Sequence, residues 1–253
     1  MLEVVYALWR RDMIKFLRDR RSLVTSMMRP FLWLLAFGFG LRGAVRVPGP
    51  GGAPSGDFLS FLVPGIAVMT VLFGSMFAAI SIVWEREFGF LKELLVAPVP
   101  RGAIVAAKLL AGSSTALVEA ILMLALAPLI GARFRVAGAL ASLPVLALFG
   151  MAVNGLGIIV AARMKSFEGF GSVINFVIQP IFFLSGALYP IAGLPHWLRV
   201  VVLVNPMTYA VDAVRGLCIG HHQFPLGLAT AVVLLAALVL GKLAASAFDR
   251  MEV

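Results

Sequence analysis

The chain has 253 residues, of which 61% are hydrophobic and only 13% are charged, and its formal net charge is +9. Soluble domains average about 45–50% apolar and about 25% charged residues, so this composition excludes soluble enzymes, disordered scaffolds and secreted disulfide-bonded modules. The single cysteine, Cys218, also excludes an internal disulfide and a multi-thiolate metal site.

Residues 2–20 are predicted to form an amphipathic helix at the membrane surface. One stripe carries Leu2, Val5, Tyr6, Trp9, Met13, Phe16 and Leu17, and the opposite face carries Arg11, Lys15 and Arg18. Aromatic side chains on the apolar face are typical of a helix that lies among lipid headgroups. The segment fits a simple membrane anchor or an anchor that also contacts a cytoplasmic partner.

Six segments are apolar over the roughly 20 residues that a bilayer-spanning helix needs. They cover residues 23–42, 58–83, 103–130, 137–162, 171–189 and 224–245. With the N-terminus in the cytoplasm, 15 of the 21 Lys and Arg residues fall on the cytoplasmic side and 6 fall outside. This bias predicts that both termini are cytoplasmic.

The loop between the second and third spans, residues 84–101, combines charge with large apolar side chains. Its charged members are Glu85, Arg86, Glu87, Lys92 and Glu93, and its apolar members are Phe88, Phe90, Leu91, Leu94 and Leu95. An ordinary solvated loop is one reading of this segment. Five large apolar side chains favour the other reading, in which the loop docks into a groove of another protein.

Residues 190–223 do not read as a simple span. The apolar stretch 197–204 is only eight residues long and ends at Asn205-Pro206, and the next stretch carries Asp212 and Arg215. One continuous span would bury this ion pair and would disturb the even number of spans. We therefore expect a re-entrant pair of short helices on the outer side, where irregular backbone packs within protein.

No motif for nucleotide binding, metal binding or hydrolysis is present in the sequence. We expect no catalytic residue, no metal site and no cofactor bound by this chain. Glu119 lies deep in the third span, where a charge costs at least about 2.5–3.5 kcal/mol. It is either a protonated or hydrogen-bonded structural group or a contact for substrate.

Three segments in order resemble the permease subunit of type-2 ABC exporters, the class that includes drug, lipo-oligosaccharide and O-antigen exporters. They are Arg86-Glu-Phe-Gly-Phe-Leu-Lys-Glu-Leu-Leu-Val-Ala-Pro98, Gln179-Pro-Ile-Phe-Phe-Leu-Ser-Gly-Ala-Leu-Tyr-Pro190, and Leu194-Pro-His-Trp-Leu followed by Asn205-Pro-Met-Thr-Tyr-Ala-Val-Asp-Ala-Val-Arg215. The resemblance covers essentially the whole chain. It implies an all-α polytopic membrane protein whose single transmembrane domain, 1–253, has six transmembrane helices. Residues 2–20 would be its connecting helix, 84–101 its coupling loop and 186–223 its outer re-entrant region.

The resemblance also implies a separate ATP-binding subunit, present in two copies, which would hold the ATP and Mg²⁺. Family members have glycine at the turn of the coupling loop, where this chain has Gly89, and often threonine where it has Phe90. The implied contacts with the ATPase are Glu85, Arg86, Glu87, Phe88, Gly89, Phe90, Leu91, Lys92, Glu93, Leu94 and Leu95, together with Tyr6, Trp9, Arg10 and Met13. The implied outer gate consists of Tyr189, Pro190, Trp197, Asn205 and Pro206.

Spans one and five are implied to line a route between two permease subunits, in a homodimer or a heterodimer. The expected lining residues are Phe31, Leu35, Phe37, Asn175, Gln179, Phe182 and Phe183. Asn175 and Gln179 are four residues apart and so share a helix face. A lining this apolar favours an amphipathic cargo, either a hydrophobic drug or a lipid-linked glycan.

The implied function is ATP-driven export by alternating access, in the inner membrane of a prokaryote and without nucleic acid. The rival hypothesis is a secondary transporter that uses Glu119 and needs no ATPase. It predicts paired intramembrane charges and inverted repeats, whereas this chain has Glu119 alone and no visible repeat.

Overall fold

The computed structural model describes residues 2–40, 57–88, 99–164, 166–191 and 194–251, and this part of the chain is helical without strands. The helices are α1 (Leu2–Arg18), α2 (Arg20–Gly40), α3 (Phe58–Glu87), α4 (Arg101–Leu126, followed by a 3₁₀ turn, Ala127–Ile130), α5 (Val136–Arg163), α6 (Phe167–Phe183), α7 (His196–Val204), α8 (Pro206–Ile219) and α9 (Leu226–Asp249). Five of them, α2, α3, α4, α5 and α9, are long and apolar enough to cross a membrane. The predicted all-α polytopic fold is confirmed.

The bundle has two ends that can be told apart by contacts between helix termini. At one end, the backbone N–H of Arg133, just after α4, donates to Ser60 Oγ near the start of α3 at 2.8 Å. At the other end, the Arg101 guanidinium donates to the carbonyl of Asp249 at 2.7 Å. We call the second end, which carries loop 84–101, the loop side, and the first end the far side.

Helix α3 is the centre of the core, and its residues from 58 to 73 are all buried. It packs against α2, α4, α5 and α8. Close approach is possible at Gly65, because a Cβ atom there would overlap the carbonyl group of Ala187. By contrast, α2 and α9 leave most of their apolar surface uncovered by the rest of the chain.

The fifth span differs from its prediction, whereas the described ends of the other five agree within about four residues. The predicted segment was 171–189, but α6 runs from Phe167 to Phe183 and contains a π-helical segment, Ile174–Ile178. The helix stops early because Ser185 Oγ donates to the carbonyl of Phe182 at 2.6 Å and Gly186 adopts a φ of +69°. A left-handed backbone conformation of this kind favours glycine.

The chain beyond α6 continues through the protein interior instead of leaving it. Phe182 contacts Phe73, which lies about 22 Å along α3, and Ala187 contacts Gly65, which lies about 10 Å along it. Residues 184–191 therefore climb along α3 from the middle of the bundle towards the far side.

Helices α7 and α8 form a pair bent by 85° at Asn205. The carbonyl of Cys218, near the end of α8, accepts a hydrogen bond from the backbone N–H of Arg135 at 2.9 Å. Because Arg135 directly precedes α5, α8 ends on the far side. The bent pair lies in the region where the sequence predicts two short re-entrant helices.

Candidate functional site

Helix α1 packs against the first half of α4. Val5 is buried against Ala103 and Ala107, and Trp9 Nε1 donates to Ser114 Oγ at 3.1 Å. The predicted apolar stripe is divided by this contact, since Leu2, Tyr6 and Leu17 remain exposed. Arg10 is exposed as well, and Met13 is half-buried. The predicted helix is confirmed, and its position at a membrane surface stays a prediction.

Four charged side chains join α1, α3 and α4 in what we call the charge cluster: Arg11, Asp12, Glu85 and Lys108. Lys108 Nζ lies 2.6 Å from Glu85 Oε1 and 3.2 Å from Asp12 Oδ2. Arg11 Nη2 lies 2.8 Å from Asp12 Oδ1 and 3.3 Å from Glu85 Oε1. Glu85 lies in the last turn of α3 and Lys108 in the second turn of α4, so the cluster connects the helices at both ends of loop 84–101 to α1.

Lys108, which the count of Lys and Arg assigns to the cytoplasmic side, is buried among α1, α3 and α4. Its side chain is only 8% exposed, and its carbonyl accepts a hydrogen bond from Asn154 Nδ2 of α5 at 2.8 Å. Asp12 was not among the predicted site residues, although an acidic residue on an otherwise basic helix face was the available signal. Within the described ranges, no group of three or more His, Cys, Asp and Glu side chains could hold a metal ion.

The start of loop 84–101 rests on α6. The ring of Trp84 stacks on Phe88 at 5.3 Å and meets Phe167 at 4.5 Å. Among the predicted ATPase contacts, Glu85 belongs to the charge cluster, Arg86 is half-buried, and Glu87 and Phe88 are exposed. The other predicted contacts lie outside the described residues: Gly89, Phe90, Leu91, Lys92, Glu93, Leu94 and Leu95.

Asn205 holds the bend between α7 and α8 and is buried. Its Oδ1 accepts the backbone N–H of Met207 at 3.0 Å, which caps the start of α8. Its Nδ2 donates to the carbonyls of Ile181 at 2.6 Å and Leu184 at 3.1 Å, at the end of α6. One amide therefore satisfies backbone groups at two helix ends.

The other predicted gate residues lie in different places: Pro206 on α8, Tyr189 and Pro190 after α6, and Trp197 on α7. Pro206 occupies the first turn of α8, where its missing N–H costs nothing. Tyr189 donates its hydroxyl proton to the carbonyl of Phe183 at 2.7 Å, and Pro190 is half-buried. Trp197 is 69% exposed on α7.

The sequence predicts that Asp212 and Arg215 form an ion pair, which one continuous span would bury. Both side chains are buried, yet in the described residues no ion pair within 4.0 Å joins them. Asp212 accepts the backbone N–H groups of Gln223 at 2.8 Å and Phe224 at 3.0 Å.

Arg215 likewise binds backbone rather than an acid. Its Nη2 lies 3.2 Å from the carbonyl oxygens of Gly186 and Ala187, and its guanidinium carbon lies 3.7 Å from the centroid of the Phe61 ring. Burial of these charges is possible because each side chain binds fixed backbone dipoles or an aromatic face.

The predicted path residues are only partly brought together. Trp33 of α2 stacks on Phe37 at 5.0 Å and meets Phe182 and Phe183 of α6 at 5.5 and 5.9 Å. Phe182 is 1% exposed and belongs to the core. The other predicted members are half-buried or exposed: Phe31, Leu35, Asn175 and Gln179. The π-helical segment contains Asn175 and ends just before Gln179, which alters the helical relation of these two residues.

A cavity of about 660 Å³ lies between α3 and α4 and is bounded by α1 and α2. Glu119 lines it and is 7% exposed. The Ser26 hydroxyl of α2 is a hydrogen-bonding neighbour of its carboxyl group. On α3 the carboxyl lies against Gly74, where a Cβ atom would come within 2.5 Å of Glu119 Oε2.

Comparison with known proteins places this arrangement among transporters. The family model described as ABC-2 type transporter matches residues 3–219. The transport permease ycf38 of Cyanophora paradoxa is 28% identical over 216 residues, which cover 85% of this chain and 73% of that protein.

Two bacterial proteins are similar to the same extent. The doxorubicin resistance ABC transporter permease DrrC of Mycobacterium tuberculosis is 29% identical over 216 residues, covering 83% of this chain and 75% of its own length. Nodulation protein J of Rhizobium leguminosarum bv. trifolii is 29% identical over 219 residues, covering 85% and 81%.

Proposed function

Because this chain belongs to the ABC-2 type transporter family, we propose that it is the permease subunit of an exporter driven by a separate ATP-binding subunit. Two ATPase subunits would hold the ATP and Mg²⁺, and this chain would bind no nucleotide. The protein would lie in the inner membrane of a prokaryote with both termini, and therefore the loop side, in the cytoplasm. Export would carry an amphipathic substrate out of the cytoplasm or the inner leaflet.

The charge cluster is the observation that carries this proposal. A protein that binds loop 84–101 pulls on Glu85 at one end of the loop and on α4 at the other. Glu85 pairs with Arg11 of α1, and Lys108 of α4 pairs with Asp12 of α1, so both attachment points are connected to α1. Movement of the loop would therefore displace α1, α3 and α4 together. An ATP-driven change of access needs such a mechanical connection, because ATP shifts the permease only by favouring one of its conformations.

Exposed apolar side chains on α2 and α6 support pairing with a second permease subunit. On α2, Leu32 is 54% and Phe39 is 52% exposed, and on α6 Phe176 is 81% exposed. The route between two subunits would then be lined by residues of these helices. The name of the relative DrrC refers to doxorubicin resistance, which favours a hydrophobic drug over a lipid-linked glycan as cargo.

Co-purification tests the ATPase partnership. The chain is purified in lipid nanodiscs with the ATP-binding protein encoded beside it, as wild type and as a Phe90→Asp, Leu91→Asp double variant. We expect a stoichiometric ATPase that is lost in the double variant, because two carboxylates cannot enter an apolar groove. The matched control is Leu129→Asp, which alters an 80% exposed leucine after α4 and should retain the ATPase.

Absence of any ATPase with the wild-type chain would contradict the proposal and favour the secondary transporter. Retention of the ATPase by the double variant would instead contradict the assignment of the coupling loop. The two results separate the function from the location of its coupling site.

A further inference from the structure

We propose that the cavity between α3 and α4 is a binding site for amphipathic organic amines, whose ammonium group pairs with Glu119. The cavity follows one face of α4 from Lys108 through Thr115 to Glu119. Eleven residues of α-helix correspond to about 16 Å. The site is therefore long and narrow, and it suits an extended molecule better than a compact ion.

The acidic side chains at the two ends of the cavity differ in whether a basic side chain pairs with them. At the loop-side end, Lys108 and Arg11 already pair with Asp12 and Glu85. At the inner end, no Lys, Arg or His of the described residues lies within ion-pair distance of Glu119. A buried carboxylate without a counter-ion is costly at membrane depth, and a bound ammonium group would supply the missing charge.

Ser26, the hydrogen-bonding neighbour of Glu119 among the described residues, does not replace a counter-ion. Ser26 Oγ also lies 3.0 Å from the carbonyl oxygen of Leu23. A hydroxyl group has one proton, so Ser26 donates either to its own helix or to the carboxylate. An ammonium group has three donors and can satisfy the carboxylate with Ser26 still bound to Leu23.

The walls beside Glu119 suit the rest of such a ligand. Met69, Phe73 and Phe77 of α3 line the cavity and offer apolar and aromatic surface. The guanidinium of Arg29 already occupies the face of the Phe73 ring, with its carbon 4.3 Å from the ring centroid, so the apolar chain of a ligand would pack on Met69 and Phe77. Gly74 leaves the α3 backbone bare opposite Glu119.

An amine fits the site better than an anion or a metal ion. The cavity is lined by four acids, Asp12, Asp19, Glu85 and Glu119, against three bases, Lys15, Arg29 and Lys108. A single carboxylate at the inner end is too few ligands for a bound metal. The idea that this amine is the exported substrate rests on the proposed function. Binding of the amine to the cavity can be measured without any ATPase.

Cysteine labelling in nanodiscs measures the charge preference of the cavity. Thr115→Cys is a conservative change, because the Thr115 hydroxyl only donates to the carbonyl of Gly112 within its own helix. The native Cys218 is fully buried and gives the background. Relative to an exposed reference cysteine, we expect methanethiosulfonate-ethylammonium to modify Thr115→Cys at least about tenfold faster than the ethylsulfonate reagent.

Competition then tests binding. We expect dodecylamine to protect Thr115→Cys, whereas dodecan-1-ol, which also partitions into lipid, should not. Adding Glu119→Gln should abolish both the protection and the charge preference. The matched control Glu168→Gln makes the same change at an exposed acid on α6 and should leave both unchanged.

Equal protection by amine and alcohol, protection that survives Glu119→Gln, or a cysteine that neither reagent reaches would each overturn the amine site. Thr115→Cys can be checked for folding through its thermal unfolding, so a misfolded variant is recognised. Amine protection without a co-purifying ATPase would sustain the site and contradict the proposed function.

Discussion

The loop side and the far side of this protein both bury polar groups, but they satisfy them in opposite ways. On the loop side, Arg11, Asp12, Glu85 and Lys108 pair with one another across three helices. Between the middle of the bundle and the far side, Asn205, Asp212 and Arg215 each bind backbone groups instead. Side-chain ion pairs can re-form after their helices shift, whereas a side chain that caps a helix end fixes that end in place. The loop side is therefore the part suited to movement and the far side the part suited to holding the re-entrant segment.

Lys108→Met should have the largest effect on stability. It leaves the carboxylates of Asp12 and Glu85 partly buried with only Arg11 beside them, and breaking a buried pair in this way costs about 3–5 kcal/mol. Unfolding of the purified protein in detergent would measure the loss. The same change at exposed Lys242 is the control. A loss below about 1 kcal/mol would mean that the charge cluster does not hold α1.

Asn205→Asp tests the far side with almost no change of volume. The carboxylate keeps an acceptor for the N–H of Met207 but loses both donors to the carbonyls of Ile181 and Leu184. Two buried carbonyls without partners predict a loss of about 2–3 kcal/mol. Gln223→Glu makes the same amide-to-acid change at an exposed side chain outside the helices and should change the unfolding free energy by less than about 0.5 kcal/mol. Equal losses of unfolding free energy in the two variants would contradict the capping role of Asn205.

Trp9→Phe should weaken the attachment of α1 by about 1 kcal/mol, because it removes the hydrogen bond to Ser114 but keeps an aromatic ring. Proteolysis or hydrogen exchange confined to α1 would report the change. Ser114→Ala should have a similar effect, and the double variant should add little to either single change. Full additivity of the two would show that the bond contributes nothing.

The smallest expected effect is the deviation from additivity when variants on the two sides are combined. Lys108→Met and Asn205→Asp share no partner, so their effects should add within about 0.5 kcal/mol. Lys108→Met combined with Glu85→Gln should deviate from additivity by more than this, because those residues are in contact. A strong deviation in the first pair would show that the two sides are coupled in the folded state.

Periodicity and the length of apolar segments predicted most of the fold, because a bilayer-spanning helix can be recognised from about 20 consecutive apolar residues. The sequence could not reveal the partners of Lys108, since Asp12 is 96 residues away and Glu85 is 23 away. A lysine near the start of an apolar helix resembles a loop charge until its neighbours are known. The early end of α6 was missed for a similar reason, because Asn205, which binds its last carbonyls, is 24 residues beyond Ile181.

The residue after Asn205 protects its side chain against slow conversion to aspartate. Asparagine commonly ages to aspartate when the backbone nitrogen of the next residue attacks the side-chain carbonyl and releases ammonia. Here the next residue is Pro206, whose nitrogen carries no hydrogen and cannot form that ring. The amide nitrogen is itself held by two carbonyl groups. The bond that joins two helix ends is thus shielded from the slow reaction that would convert it into the Asn205→Asp variant.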